Sequence, residues 1–184
     1  FPNNDEIYFL SSFLDTNLAS SLTKALNPTL NSNAGDIANL PLVKDDGLSN
    51  KLALECIKIT KTDWDFYERS WNFKNYPLLA KFSLLSETLE FSYKNWIKQN
   101  NELILKLKKI EEENNRSFNN AYDVANEISA EVSLKKITLT INPSYRYGTH
   151  LDEKESLARF KSDTMTELLS YSLGCMMGRY SLDH

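Results

Sequence analysis

The chain has 184 residues, of which 41% are hydrophobic and 25% charged, so it can bury a real core and corresponds to one large or two small domains. Its 21 basic and 25 acidic residues give a net charge of −4, which excludes a protein that coats nucleic acid through bulk electrostatics. No apolar run is long enough to cross a bilayer, and the first residues lack the layout of a secretory signal. We therefore expect a cytoplasmic protein with no membrane partner.

The beginning of the chain predicts a helix followed by extended structure. Leucine or isoleucine recurs every three to four positions over residues 5–26, which indicates one amphipathic helix, and Pro28 prevents its continuation. Residues 29–43 mix Asn, Gly and Pro with isolated apolar side chains, a composition typical of strand and turn.

The middle of the chain predicts helices. Ser49 is a suitable N-cap for a helix that runs toward Glu68. The strongest helical periodicity follows, with one long helix near 88–120 that would reach on the order of 45 Å. Because such a rod is too long to pack entirely in a small core, we interpret it as a spacer or clamp.

Near the end of the chain the spacing of the apolar residues changes. Ile137, Leu139 and Ile141 alternate with threonines, which predicts a short strand that ends at Asn142-Pro143. A last amphipathic helix is predicted from Lys154 to near Gly178. The expected fold class is mainly α, with long helices and a small β or extended portion.

The tetrapeptide Asn142-Pro143-Ser144-Tyr145 resembles the Asn-Pro-Pro-Tyr motif with which amino-group DNA methyltransferases hold a flipped adenine. Ser144 replaces the second proline, and none of the five glycines forms the Gly-x-Gly turn that would seat S-adenosylmethionine. The sequence thus predicts neither catalytic nor cofactor-binding residues. The tyrosine-rich turn is interpreted either as aromatic packing at a strand end or as a loop that contacts nucleic acid.

Other reactive side chains predict no further site. Two cysteines and two histidines lack the spacing of metal ligands, so no metal site is expected, and Cys56 and Cys175 are predicted to be buried free thiols. The frequent Asn pairs indicate an AT-rich genome rather than an activity. The tryptophans are interpreted as core anchors: Trp64, Trp71 and Trp96.

Three parts of the chain carry a family resemblance. They are residues 27–41, residues 63–79, and residues 142–148 together with 169–183. These stretches resemble the adenine-specific DNA methyltransferases of BREX phage-defence systems and their type IIG restriction-modification relatives. The resemblance implies methylation of the exocyclic amine of adenine with S-adenosylmethionine by a parent enzyme whose catalytic domain lies upstream.

The resemblance implies a fragment C-terminal to that catalytic domain. Residues 1–48 would be the end of the target-recognition region, 49–130 a helical spacer, and 131–184 a strand, tyrosine-rich turn and C-terminal helix. The expected function is non-catalytic target recognition and scaffolding, with no cofactor in the fragment. Expected partners are double-stranded DNA through the parent enzyme, the rest of the methyltransferase and other BREX subunits. The alternative is a helical protein-interaction module that docks other defence-system subunits.

Candidate DNA contacts come from three places in the chain. Asparagine amides can read an adenine edge, lysines can contact phosphates, and tyrosine or arginine can stack on bases. Two alternatives stay open, since turn asparagines often bond their own backbone and exposed lysines are often merely solvated. The candidates are Asn31, Asn33, Lys135, Lys136, Tyr145, Arg146 and Tyr147.

Overall fold

The computed structural model describes residues 4–29, 33–43, 47–79, 88–148 and 150–180. Within these residues the chain is mainly α-helical, as predicted, and it contains no strand, so the small β portion is not shown. None of the helices in these ranges is long and apolar enough to span a membrane. The elements are α1 (Asn4–Leu14), α2 (Asn17–Leu26), α3 (Ala34–Ala38), α4 (Leu48–Asp65), α5 (Leu89–Ala121), a 3₁₀ turn (Leu134–Lys136), α6 (Pro143–Arg146) and α7 (Glu153–Met176).

The prediction of one helix over residues 5–26 is wrong, because the chain breaks between α1 and α2. The hydroxyl of Thr16 donates to the carbonyl of Phe13 at 2.6 Å and accepts from the backbone N–H of Ala19 at 3.0 Å. Thr16 has an extended conformation and therefore caps α2 instead of continuing α1. Periodicity alone misses this break because the apolar spacing runs through it.

The extended structure predicted for residues 29–43 is wrong for Ala34–Ala38, which form α3. The carboxylate of Asp36 accepts from the backbone N–H of Asn33 at 2.9 Å and from the amide of Asn27 at 2.9 Å. These two bonds close the turn before the helix and satisfy one of its free backbone donors.

The chain divides into two compact units. The first comprises Phe1–Lys58 and Leu107–Val132, and the second comprises Ile59–Lys106 and Ser133–His184. Helices α4 and α5 each contribute residues to both units.

An aromatic core holds the first unit. Phe13 and Phe118 are both fully buried, with ring centroids 5.5 Å apart in an edge-to-face arrangement. Tyr122 stacks on Phe13 at 6.0 Å. Leu18, Ala19 and Leu40 complete the buried cluster.

Buried asparagines of α5 tie the first unit together. Asn114 accepts from the hydroxyl of Ser12 at 2.6 Å and donates to its carbonyl at 2.8 Å. Asn115 accepts from the backbone N–H of Asn17 at 2.9 Å and donates to the carbonyl of Ala130 at 3.2 Å. Whatever the codon bias, these asparagines therefore have a structural role that composition does not reveal.

The irregular segment after α5 is held by side chains of that helix. Asn119 donates to the carbonyl of Ile128 at 2.7 Å, and the carboxylate of Glu112 accepts from the backbone N–H of Val132 at 3.2 Å. Backbone groups that have no helix or strand partner thus find one in a side chain.

Stacked aromatic rings form much of the second unit. The ring centroids of Trp96 and Phe160 lie 5.5 Å apart, and the two ring planes are nearly parallel. The ring centroid of Tyr171 lies 6.0 Å from that of Tyr76 and 5.2 Å from that of Tyr180. The ring of Tyr180 fits because Gly174 has no side chain, since a Cβ there would lie 2.8 Å from the ring. Gly178 follows the C-terminal cap of α7 and has a φ of +74°, a conformation that favours glycine.

Two predictions of burial need correction. Trp96 is a core anchor, as predicted, but Trp64 is half exposed and Trp71 is fully exposed, so the same prediction is wrong for them. Cys56 and Cys175 are free thiols, but both are half-buried rather than buried. Helical spacing does not identify which side of the helix or turn faces the core, and this accounts for both errors.

We predict that Asn114→Ala lowers the free energy of unfolding by about 2–3 kcal/mol, because two buried hydrogen bonds are lost. The matched control is Asn120→Ala on the exposed side of the same helix, which should cost less than about 0.5 kcal/mol. Urea denaturation followed by circular dichroism measures both variants. Equal losses would contradict the bracing role of Asn114.

A cavity of about 420 Å³ in the first unit is lined in part by the carboxyl groups of Asp15 and Glu111, and the pKa of each is raised. Burial, reinforced by the charge of Asp15, raises the pKa of Glu111 from 4.5 to about 7. The thiol of Cys56 lies in the same wall, and burial and the nearby carboxylates raise its pKa to about 12. The folded protein therefore holds the proton of Glu111 more tightly than the unfolded chain does.

We predict a pH-dependent effect of Glu111→Gln. A raised folded-state pKa contributes stability that is complete below about pH 4.5 and is lost as the pH rises through 7. The variant should therefore be more stable than the parent at pH 8, by about 1–3 kcal/mol, and nearly equal to it at pH 4.5. Glu113→Gln, on an exposed neighbour, is the control for urea denaturation at both pH values. A difference that does not change with pH would contradict the assignment.

Candidate nucleic-acid interface

The segment predicted to be a strand is held by hydrogen bonds from its backbone to one carboxylate. Residues 137–141 bury Ile137, Leu139 and Ile141 almost completely, as an alternating pattern should, but they are not a strand. The two oxygens of Asp63 accept from the backbone N–H groups of Thr140 at 2.7 Å and Ile141 at 2.9 Å. The strand prediction is wrong because a side chain at the end of α4, and not a neighbouring strand, accepts these hydrogen bonds.

Asp63 is itself buried, with 5% of its surface exposed. Burial raises the pKa of its carboxyl group, while the two backbone bonds and the charge of Arg69 act in the opposite direction without overcoming it. The carboxylate is thus a costly group to bury, and its place is explained by the two donors that it satisfies.

Asn142 is committed to local structure. Its amide nitrogen donates to the carbonyls of Leu134 at 2.8 Å and Ile137 at 2.9 Å, and its oxygen accepts from the backbone N–H of Ser144 at 3.2 Å. Only 2% of the residue is exposed. The asparagine that corresponds to the adenine-holding residue of the Asn-Pro-Pro-Tyr motif therefore caps α6.

Two of the predicted contact residues pack α6 against α7. Arg146 donates to Glu167 at 2.8 Å and lies 3.8 Å from Asp163. Burial alone would lower the pKa of Arg146, but the hydrogen bond and charge of Glu167 outweigh it and raise the pKa. The hydroxyl of Tyr147 donates to Asp163 at 2.8 Å.

Arg146 and Glu167 border an open pocket of about 890 Å³ that lies wholly in the second unit. Tyr145 is 44% exposed on its wall. Arg69 lies with its guanidinium 4.4 Å from the ring centre of Trp64 and donates to the hydroxyl of Thr140 at 2.7 Å. The aromatic walls are Trp64, Tyr67, Tyr76 and Tyr145, and the charged groups are Asp63, Glu68, Arg69, Arg146 and Glu167.

The other predicted residues lie elsewhere. Lys135 and Lys136 are exposed in the 3₁₀ turn. Asn33 is exposed before α3 in the first unit, and its backbone is bonded to Asp36. Asn31 lies outside the described residues.

The pocket residues that sequence analysis missed include Trp64, Tyr67 and Arg69. They lie inside one of the stretches that carry the family resemblance. The spacing of an arginine five residues after a tryptophan, across a helix end, is the signal that could have suggested a stacked pair.

Comparisons with known proteins agree with the family resemblance. No protein-family model matches the chain. The adenine-specific methyltransferase BrxX of Escherichia coli O9:H4 (strain HS) is 34% identical to it over 185 residues, covering 98% of this chain and 15% of the relative. The adenine-specific methyltransferase PglX of Lacticaseibacillus casei (strain Zhang) is 29% identical over 180 residues, covering 96% of this chain and 14% of the relative.

This chain is homologous to one segment of the BREX adenine-specific methyltransferases. The resemblance stated from the three stretches is thereby confirmed. The chain spans about one seventh of the length of these two methyltransferases. The described part of the chain brings two of the three stretches together, since the pocket is lined from residues 60–76 and 138–146 as well as from α7.

We predict that Asp63→Asn lowers the free energy of unfolding by about 2–3 kcal/mol. The amide has one accepting oxygen, so its NH₂ group would face a buried backbone N–H. Asp123→Asn is the control, because Asp123 is exposed at φ 55°, where Asn is equally tolerated. Thermal and urea denaturation measure both variants, and a loss no larger than that of the control would contradict the role given to Asp63.

Proposed function

We propose that the chain is a non-catalytic target-recognition and scaffold segment of an adenine-specific DNA methyltransferase from a BREX system. Similarity over 98% of the chain to such an enzyme supports the proposal. In this proposal the parent enzyme uses S-adenosylmethionine, acts on double-stranded DNA and works in the cytoplasm. This segment binds the rest of the enzyme and contributes DNA contacts.

The three regions of the sequence have separate roles in the proposal. Residues 1–48 form the end of the target-recognition region, with Asn31 and Asn33 as base-reading side chains. Residues 49–130 are the helical spacer. Residues 131–184 supply the DNA contacts of the second unit.

The proposed DNA contact is made by Tyr145, Lys135 and Lys136. Tyr145 is exposed and can stack on a base, while Lys135 and Lys136 are exposed and can contact phosphates. Arg146 and Tyr147 form hydrogen bonds with acidic residues of α7. We therefore assign them the role of holding Tyr145 in position for its contact with DNA. The exposed guanidinium of Arg69 adds a positive charge beside it.

Fluorescence anisotropy with a labelled duplex tests this contact. The double variant Lys135→Ala/Lys136→Ala should weaken binding and lower the slope of log affinity against log salt by about 2, since two phosphate contacts are lost. Tyr145→Ala should weaken binding by about fivefold or more with little change in slope, since it removes stacking rather than charge.

Lys98→Ala, on an exposed face of α5, is the matched control and should leave both quantities unchanged. If the duplex does not bind at low salt, or if the control loses as much as the double variant, the proposed contact is wrong.

A second candidate function, protein interaction, is favoured by an apolar stripe on α7. Leu169, Leu173, Met176 and Met177 are between 58% and 83% exposed, and the first three recur at helical spacing. Such a stripe suits a helix of another defence-system subunit. Concentration-dependent association with other BREX subunits in the absence of DNA, removed by Leu173→Ser, would favour this candidate over DNA contact.

A further inference from the structure

The solvent-facing surface of α7 changes from charged to uncharged along the helix. Over residues 153–161 most of the exposed side chains are charged, namely Glu153, Lys154, Glu155, Arg159 and Lys161. Residues 162–177, all of which the structure describes, expose no charged side chain. The acids in this second part are half-buried, and Asp163 accepts from Tyr147. Glu167 accepts from Arg146, so both acids face α6 and its cap rather than solvent.

The uncharged part of α7 carries the apolar stripe of Leu169, Leu173 and Met176, with Met177 as the C-terminal cap of the helix. These four side chains are between 58% and 83% exposed. The other exposed side chains in this part are small and hydroxyl-bearing: Ser162, Thr166, Ser170 and Ser172. The cores of protein interfaces are depleted in charged residues and enriched in methionine. The second half of α7 thus has the composition of an interface core rather than that of a solvated helix.

The stripe is separate from the face with which α7 packs in its own unit. That face consists of the buried residues Ser156, Phe160, Thr164, Tyr171 and Gly174. Since each residue turns an α-helix by about 100°, Leu173 points away from Gly174, and Leu169 points nearly opposite to Tyr171. A helix that is apolar on more than one side is typical of the interior of a larger protein. Helix α7 therefore has a second apolar face that its own unit leaves exposed.

Two observations favour an occupant in the same polypeptide over a separate subunit. A surface that meets its partner only transiently is exposed to solvent between encounters, and permanent interfaces are the more apolar class. The absence of exposed charge over residues 162–177 fits permanent cover. The chain also spans only about one seventh of the length of the two methyltransferases that it matches. A covalently linked surface has a high effective concentration at such a stripe, which favours it over a free partner.

We propose that Leu169, Leu173, Met176 and Met177 dock permanently against an apolar, charge-poor surface in another part of the same methyltransferase polypeptide. The inference rests on the proposed function, in which this chain is a segment of a longer enzyme and binds the rest of it, and it names the surface that does so. It differs from the second candidate function, in which a separate subunit covers the stripe.

Methionine oxidation in the full-length methyltransferase that contains this segment is the test. The three methionines of the segment are Met165, Met176 and Met177, and the first is half-buried on the same helix. Dilute peroxide oxidises each according to its exposure, and peptide mass spectrometry follows the rates; the same protein in guanidinium chloride gives the rate without cover. We expect Met176 and Met177 to react roughly tenfold or more slowly in the folded enzyme than in denaturant, in proportion to the surface that docking covers.

A charge placed in the stripe should remove this protection. Leu173→Asp would bury an unpaired carboxylate in the docked state, so oxidation of Met176 and Met177 should become about fivefold faster or more. Leu105→Asp is the matched control, because Leu105 on α5 is 58% exposed, as Leu173 is, and it should leave the rates unchanged. Met165 should stay slow in both variants, since α7 keeps its own packing. The protection measured without substitution decides the proposal even where a variant unfolds.

Three results would overturn the proposal. The first is oxidation of Met176 and Met177 in the folded enzyme at nearly the denatured rate. The second is protection that appears only when other BREX subunits are added, which assigns the stripe to a separate subunit. The third is protection that appears only at high enzyme concentration, which assigns it to a second copy. Duplex binding, measured by anisotropy on the same sample, is independent: binding with fast oxidation overturns this inference alone, and protection without binding overturns only the DNA contact.

Discussion

The bond between the Asp63 carboxylate and the backbone of Thr140 and Ile141 is the constraint on which the second unit depends. Residues 137–141 are apolar enough to be buried, yet burial obliges each of their N–H groups to find an acceptor. A sheet would supply acceptors through a neighbouring strand. Here one carboxylate at the end of α4 supplies two of them, and this fixes where the chain enters α6.

The hydrogen bonds of Asp63 also determine the arrangement of residues in the pocket. Because Asp63 positions Thr140, the hydroxyl of Thr140 is available to accept from Arg69, and Arg69 in turn lies over the ring of Trp64. Asn142 then closes the turn, and α6 presents Tyr145 outward and Arg146 toward α7. The candidate site is therefore a product of side-chain to backbone bonds rather than of a regular scaffold. The first unit uses the same device, with asparagine amides in place of the carboxylate.

How much of this could be predicted depends on the range of the interactions. The mainly α fold follows from local periodicity, because the apolar positions of a helix are three and four residues apart. The long helical pattern near 88–120 coincides with α5 for this reason. The break at Thr16 and the helix at Ala34–Ala38 depend on single capping side chains, which change the chain direction without changing the apolar pattern.

The candidate site was predictable only in part for a similar reason. Tyr145 and Arg146 stand next to each other in an evident motif, and the structure brings both to the pocket. Asp63 and Thr140 are 77 positions apart, and no local rule pairs a carboxylate with an N–H so distant in the chain. The burial of Asp63, with 5% of its surface exposed, therefore comes from tertiary packing, which no local pattern predicts.

The two arginines of the pocket show why charge counting would also mislead. Arg146 and Glu167 form a pair at 2.8 Å in which each side chain is about one quarter exposed, so their charges largely cancel toward solvent. Arg69 bonds a neutral hydroxyl and rests on an aromatic face, which leaves its charge directed outward. A chain with a net charge of −4 can thus still present a local positive group beside an exposed tyrosine. What matters for an anionic partner is which cation is already neutralised by an ion pair, and for Arg146 that is decided by the packing of α6 against α7.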